Sequence, residues 1–142
     1  MAKLEFFGGL YLNDDNQVII PTRVLLGTGV AGAKKIKMGP QAKAGIIIDK
    51  DAVLEYPGMN GGDIKKLYDD KSHVTQDLVV VQRNRIVRTR PIFNEWSVTI
   101  EVEFIPDIIQ KERIVDLFDQ AGLLCGLGDW RPQYGRFSVE EV

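Results

Sequence analysis

The chain has one cysteine and one histidine in 142 residues. A lone Cys125 rules out an internal disulfide and fits a reducing compartment. With His73 as the single histidine, no Cys/His cluster has metal-ligand spacing, and the setting KSHVT reads as a surface loop. No catalytic constellation is visible, so no enzymatic activity and no cofactor are expected. Long apolar runs are missing as well. No stretch approaches the ~18 residues a membrane-spanning helix needs, and MAKLEFFGG lacks the apolar core of a secretory signal. The expectation is a cytoplasmic protein, in the host cytoplasm if phage-encoded, with no membrane partner. Low-complexity tails and linkers are absent, so residues 1–142 read as a single domain. Bulk charge is nearly balanced, at −2 with a pI near 5.4, and does not announce a nucleic-acid binder.

What is present is an ordinary globular composition, 44% apolar and 27% charged. KLEFFGGLYL (3–12) reads as a strand with a bend or bulge at Gly8-Gly9. Asp14-Asp15-Asn16 is a turn, and Gln17 to Ile20 returns as a strand. Pro21 suits the first turn of a helix over about 21–37, which Gly39-Pro40 stops. GIIID (45–49) reads as a buried strand, and AVLEY (52–56) extends it or starts another. Residues 60–62 read as a loop and 63–69 as a short helix. Asp77 to Val81 is a strand that the arginine segment continues. EWSVTIEVEF alternates strictly: Trp96, Val98, Ile100, Val102 and Phe104 on one face, polar residues between them. Pro106-Asp107 then opens a helix, with Gln110 at capping-box spacing, a stripe of Ile114, Leu117, Phe118 and Ala121, and Gly122 at its end. RFSVEEV closes the chain as a strand. The order is βαββαβ, the ferredoxin-like α+β class, with an antiparallel sheet, helices on one face, an extra N-terminal hairpin and a variable middle insertion.

Four features invite chemistry. GTGVAG (27–32) has the outline of a dinucleotide loop, with Asp49 beyond it. Only about six residues separate it from Gly39-Pro40, however, and no further βα repeats follow. Placed on the helix after Pro21, Gly27, Ala31 and Gly32 become a close-packing surface instead. Adjacent carboxylates, Asp14-Asp15 and Asp69-Asp70, read as solvated turns, so no metal site is assigned. QRNRIVRTRP carries Arg83 and Arg85 on one strand face and Arg88 and Arg90 on the other. These guanidinium groups either fork onto phosphates or pair across the sheet with Glu101 and Glu103. GLGDWRPQYGRF (126–137) is too rich for a plain connector. Gly126, Gly128 and Gly135 permit positive φ, Trp130 and Tyr134 offer stacking faces, and Arg131 and Arg136 offer forks for single-stranded nucleic acid or a nucleotide. The alternative is that Trp130 covers the sheet and Arg131 caps helix carbonyls.

VIIPTRVLLG (18–27), of the form I-P-x-x-x-L-x-G, and the late loop GLGDWRPQYGRF together resemble the RAMP superfamily of CRISPR-associated RNA-binding proteins. Ile20, Pro21, Leu25 and Gly27 match the helix-start motif, while Thr22, Arg23 and Val24 depart from its small, serine-rich centre. The resemblance implies a ferredoxin-like, RRM-like domain that binds RNA through the late loop and self-associates into stacks. RPIFNEWSVTIEVEF with GLGDWRP is also similar to small proteins of tailed phages and prophages, which implies no activity. Two expectations result. One is a non-enzymatic binder of RNA, single-stranded DNA or a nucleotide through the arginine strand and the late loop. The other is a phage structural or protein-interaction module, a mimic of CRISPR backbone subunits, that binds no nucleic acid and uses the same Trp, Tyr and Arg residues as interface anchors.

Overall fold

The computed structural model describes residues 10–57, 74–93, 95–128 and 135–142. The elements run β1 (Ile19–Ile20), α1 (Thr22–Lys35), α2 (Gly39–Gly45), β2 (Ile46–Ile47), β3 (Ala52–Val53), β4 (Val74–Val81), β5 (Asn84–Pro91), β6 (Glu103–Phe104) and α3 (Lys111–Gln120), with a π-helical turn at Ala121–Cys125. The class is α+β, and the strands pair antiparallel as β1–β3, β2–β6 and β4–β5. Residues 3–9 of the strand expected over 3–12, the loop at 60–62, the helix at 63–69 and His73 lie outside the described residues, and within 10–12 the strand is reduced to a single bridge at Leu12. The polypeptide falls into two compact units, each built from separate stretches: Met1–Ile20 with Ala52–Thr99, and Pro21–Asp51 with Ile100–Val142.

In the first unit, the turn after Leu12 is organised by Asn13. Its Oδ1 accepts from the N–H groups of Asp15 and Gln17 at 3.0 and 2.9 Å, and Asn16 takes the positive φ of 58° that asparagine tolerates. Leu12 then bridges Val18, and β1 pairs with β3 in the register Ile19↔Val53 and Ile20↔Ala52. Val18, Ile20, Ala52 and Leu54 are buried around this pairing. Glu55 and Ser97 exchange backbone hydrogen bonds of 2.8 and 2.9 Å. Tyr56 stacks at a tilt on Phe93, with ring centroids 4.8 Å apart, and burial raises the Tyr56 phenol above its ordinary value.

The arginine segment does not continue the strand that ends at Val81. It folds back as β5, in register from Val74↔Pro91 to Val81↔Asn84. The connection is the pair Gln82-Arg83, with φ of 50° and 69°. Two consecutive positive φ values characterise the type I′ turn, whose twist matches that of the flanking strands. Arg83 therefore sits in the turn and shares no strand face with Arg85, contrary to the single-strand reading.

The second unit is a helical layer with one short strand pair. α1 begins after Pro21, and no side chain at its own start caps it. Asp51 does so from 29 residues away, its Oδ1 accepting the Thr22 N–H at 2.8 Å. Lys34 and Lys35 occupy the last turn, where cations complement the helix dipole. Gly39-Pro40, expected as a stop, instead opens α2, because proline lacks only an N–H that a first turn leaves unpaired anyway. β2 pairs with β6 as Ile46↔Phe104 and Ile47↔Glu103. Ile46 and Ile48 are buried, but Ile47 is 45% exposed, so this strand alternates rather than being buried throughout.

α3 starts at Lys111 rather than at Pro106-Asp107. Residues 106–108 form a turn in which Ile105 accepts from the N–H groups of Ile108 and Ile109, leaving Ile109 2% exposed. The expected stripe is the core: Ile114, Leu117, Phe118 and Ala121 are all buried. It packs on α1 at glycines. A Cβ on Gly32 would lie 2.0 Å from the Leu117 carbonyl oxygen, and one on Gly29 would lie 2.9 Å from the Phe118 ring. Gly122 does not end the helix. The chain widens into the π-helical turn, closed by the Gly126 N–H on Ala121 O at 2.7 Å, and Gly126 takes the terminal positive φ of 73°.

Two expected strands keep their alternation but not their ladders. Along 96–104 exposure alternates residue by residue as the pattern requires, yet strand pairing is confined to Ser97 and to Glu103–Phe104. Residues 135–140 alternate likewise, with no strand assigned.

Candidate functional site

The chemistry-bearing residues fall into three places. The first is the β4–β5 hairpin. Over 74–91 it holds Arg83, Arg85, Arg88 and Arg90 against a single Asp77, a net +3 in a chain of net −2. Arg83 and Arg85 are exposed. In the register Arg85 stands opposite Val80, Arg88 opposite Asp77 and Arg90 opposite Thr75. Glu101 and Glu103, offered as cross-strand partners of the arginines, are not on the neighbouring strand: that position belongs to β4. Glu101 instead accepts a hydrogen bond from Lys50 Nζ at 2.9 Å, which with the Glu101 charge raises the Lys50 ammonium above its ordinary value. Glu103 sits in β6.

The second place is the late loop. Gly126, Gly128 and Gly135 all have positive φ, at 73°, 103° and 84°. The neck of the loop is clamped. Leu127 N–H donates to Gly135 O at 2.9 Å, and Phe137 N–H donates to Gly122 O at 3.2 Å. At Gly135 a Cβ would fall 1.8 Å from the Leu127 carbonyl oxygen, so both φ and space demand glycine. Arg136 is exposed just past the neck. Trp130, Arg131 and Tyr134 lie outside the described residues.

The third place went unremarked in the sequence. Between Asp15 and Asp49 there is no acidic residue, while Arg23, Lys34, Lys35, Lys37 and Lys43 fall there. α1 and α2 gather four of these cations around an open groove of about 1020 Å³: Arg23, Lys34, Lys35 and Lys43. Its floor is Leu26, Gly27, Val30 and Ala31, and the π-helical turn contributes Leu124 and Cys125. GTGVAG thus serves two faces of one helix. Gly29 and Gly32 face α3, whereas a Cβ on Gly27 would meet nothing within 4 Å. The close-packing surface is therefore Gly29 and Gly32, not Gly27. These glycines lie inside a helix, so their N–H groups do not form the free cradle that a pyrophosphate needs. The missing signal was not a motif but a vacancy, the long interval without a carboxylate.

Among the described residues no group of three His, Cys, Asp or Glu side chains is arranged to hold a metal ion, and no helix is long and apolar enough to cross a membrane. A scan against protein-family models, a search of curated proteins and a search of solved structures each found no match.

Proposed function

We propose that the protein is a non-enzymatic binder of single-stranded nucleic acid, of ferredoxin-like and RAMP-like architecture, and that the arginine hairpin is its principal contact. The observation that carries this reading is Arg83. It occupies a positive-φ turn position where glycine or asparagine is the unstrained choice, and it is exposed there. A strained, exposed arginine at the tip of a hairpin rich in arginine is costly for folding and useful for reaching a phosphate. The late loop supports the same reading, because its sequence carries Trp130, Arg131 and Tyr134 between the hydrogen-bonded residues Leu127 and Gly135. Such residues stack on bases and fork onto phosphates.

Fluorescence anisotropy with labelled single-stranded RNA and DNA at several salt concentrations tests it. Affinity is expected to fall as salt rises. Arg83→Ala and Arg85→Ala should each weaken binding and lower the log–log salt slope by about one. Trp130→Ala should weaken binding without changing that slope. Failure of the wild-type chain to bind either strand at low salt ends the proposal.

A further inference from the structure

The groove on α1 is separate from the arginine hairpin in sequence and composition, and the hairpin does not explain it. Its floor is aliphatic and small: Leu26, Val30, Gly27 and Ala31. Its rim is cationic, and Lys34, Lys35 and Lys43 make no ion pair among the described residues. Glycine inside a helix weakens it relative to alanine. At Gly29 and Gly32 the packing of α3 accounts for glycine, but at Gly27 nothing inside this unit does. Gly27 and Ala31, one turn apart, leave a backbone that another helix can approach closely.

We propose that this groove docks an acidic amphipathic helix of a partner protein. The chemistry selects that occupant. A second copy of α1 would bring Arg23, Lys34 and Lys35 against their like, a juxtaposition that costs affinity. A nucleic acid strand would find phosphate partners at the rim but no aromatic platform on the floor, where bases stack in single-strand sites. A small anionic ligand would be poorly enclosed, since small-molecule sites bury most of their ligand and this groove is open. A helix with leucines on one face and carboxylates beside them satisfies floor and rim together.

The test uses the full chain and a fluorescein-labelled helical peptide of about 18 residues, leucine on one face and glutamate elsewhere, with a twin carrying lysine for glutamate. The acidic peptide should bind at least about tenfold more tightly than its twin. Lys34→Glu with Lys35→Glu should abolish or reverse that preference. Gly27→Leu should fill the groove and remove binding while the melting temperature holds or rises. The acidic peptide should also protect Cys125, at the groove wall, from alkylation. Arg83→Ala should leave peptide binding unchanged, which separates this proposal from the nucleic-acid reading. Equal binding of the two peptides overturns it, as does full binding by Gly27→Leu. Protection of Cys125 by single-stranded RNA but not by the acidic peptide overturns it in favour of a nucleic-acid groove.

Discussion

At the scale of single residues, the glycines of GTGVAG separate by what lies opposite them. Gly32 faces the Leu117 carbonyl at a distance no Cβ tolerates, and the backbone there cannot swing aside as a side-chain tip would. Gly32→Ala is expected to destabilise by about 1–3 kcal/mol. Gly27→Ala meets empty space and should stabilise by roughly 0.5–1 kcal/mol. Chemical denaturation of the two variants, with equal m-values, checks the pair; the same sign for both would contradict this helix crossing. Tyr56 gives a second residue-scale expectation. Burial favours its neutral phenol in the folded state, so this contribution to stability is present below the ordinary tyrosine value of about 10 and is lost as pH rises through the higher folded value. Tyr56→Phe should remove a phase from the alkaline absorbance titration that lies above that value. Loss of amplitude near the ordinary value instead would place the phenol in water.

Elements were legible where their cause is local. The stripe on α3 follows from spacing alone, and the start of α1 after Ile20-Pro21 follows from proline geometry. What could not be read depended on distant partners or on missing turn chemistry. The β4–β5 hairpin hid because Gln82-Arg83 is not a glycine- or asparagine-bearing turn, so the alternation seemed to run on. Arg83→Gly should therefore stabilise the protein by about 1 kcal/mol, by relieving a left-handed backbone, while weakening nucleic-acid binding. Melting curves and anisotropy on one variant read both effects, and a loss of both would mean the arginine holds the turn. The cap on α1 was equally unreadable, since Asp51 lies 29 residues from Thr22. Asp51→Ala should cost about 0.5–2 kcal/mol, measurable by urea denaturation, and Asp51→Asn should recover most of it. The late loop was half legible. Its glycines announced positive φ, but the clamp between Leu127 and Gly135 shows only in three dimensions.

At the scale of the whole molecule, the chain passes between its two units after Ile20, Asp51 and Thr99, so neither unit is one continuous stretch. The helical unit is closed by contacts that join residues before 52 to residues after 99: β2 with β6, and Gly29 and Gly32 with α3. Residues 100–142 made alone should lack a cooperative helical transition, because the Ile114–Leu117–Phe118 stripe would have nothing to cover it. Mixed with residues 1–99, they should recover helical circular dichroism and sediment as a one-to-one complex. Cooperative unfolding of 100–142 alone would refute this. Charge is likewise legible only in pieces. The near-neutral total conceals a basic hairpin and an acid-free interval, and both emerge only when residues are counted by element rather than by chain.

The neck at Leu127 and Gly135 makes the late loop replaceable. Its two ends are held by their own hydrogen bond and by a glycine that nothing else can substitute, so the frame does not depend on what is written between them. Exchange of 129–134 for a randomised cassette should therefore leave the melting temperature unchanged. The protein would then serve as a display scaffold whose binding specificity is edited without refolding the rest.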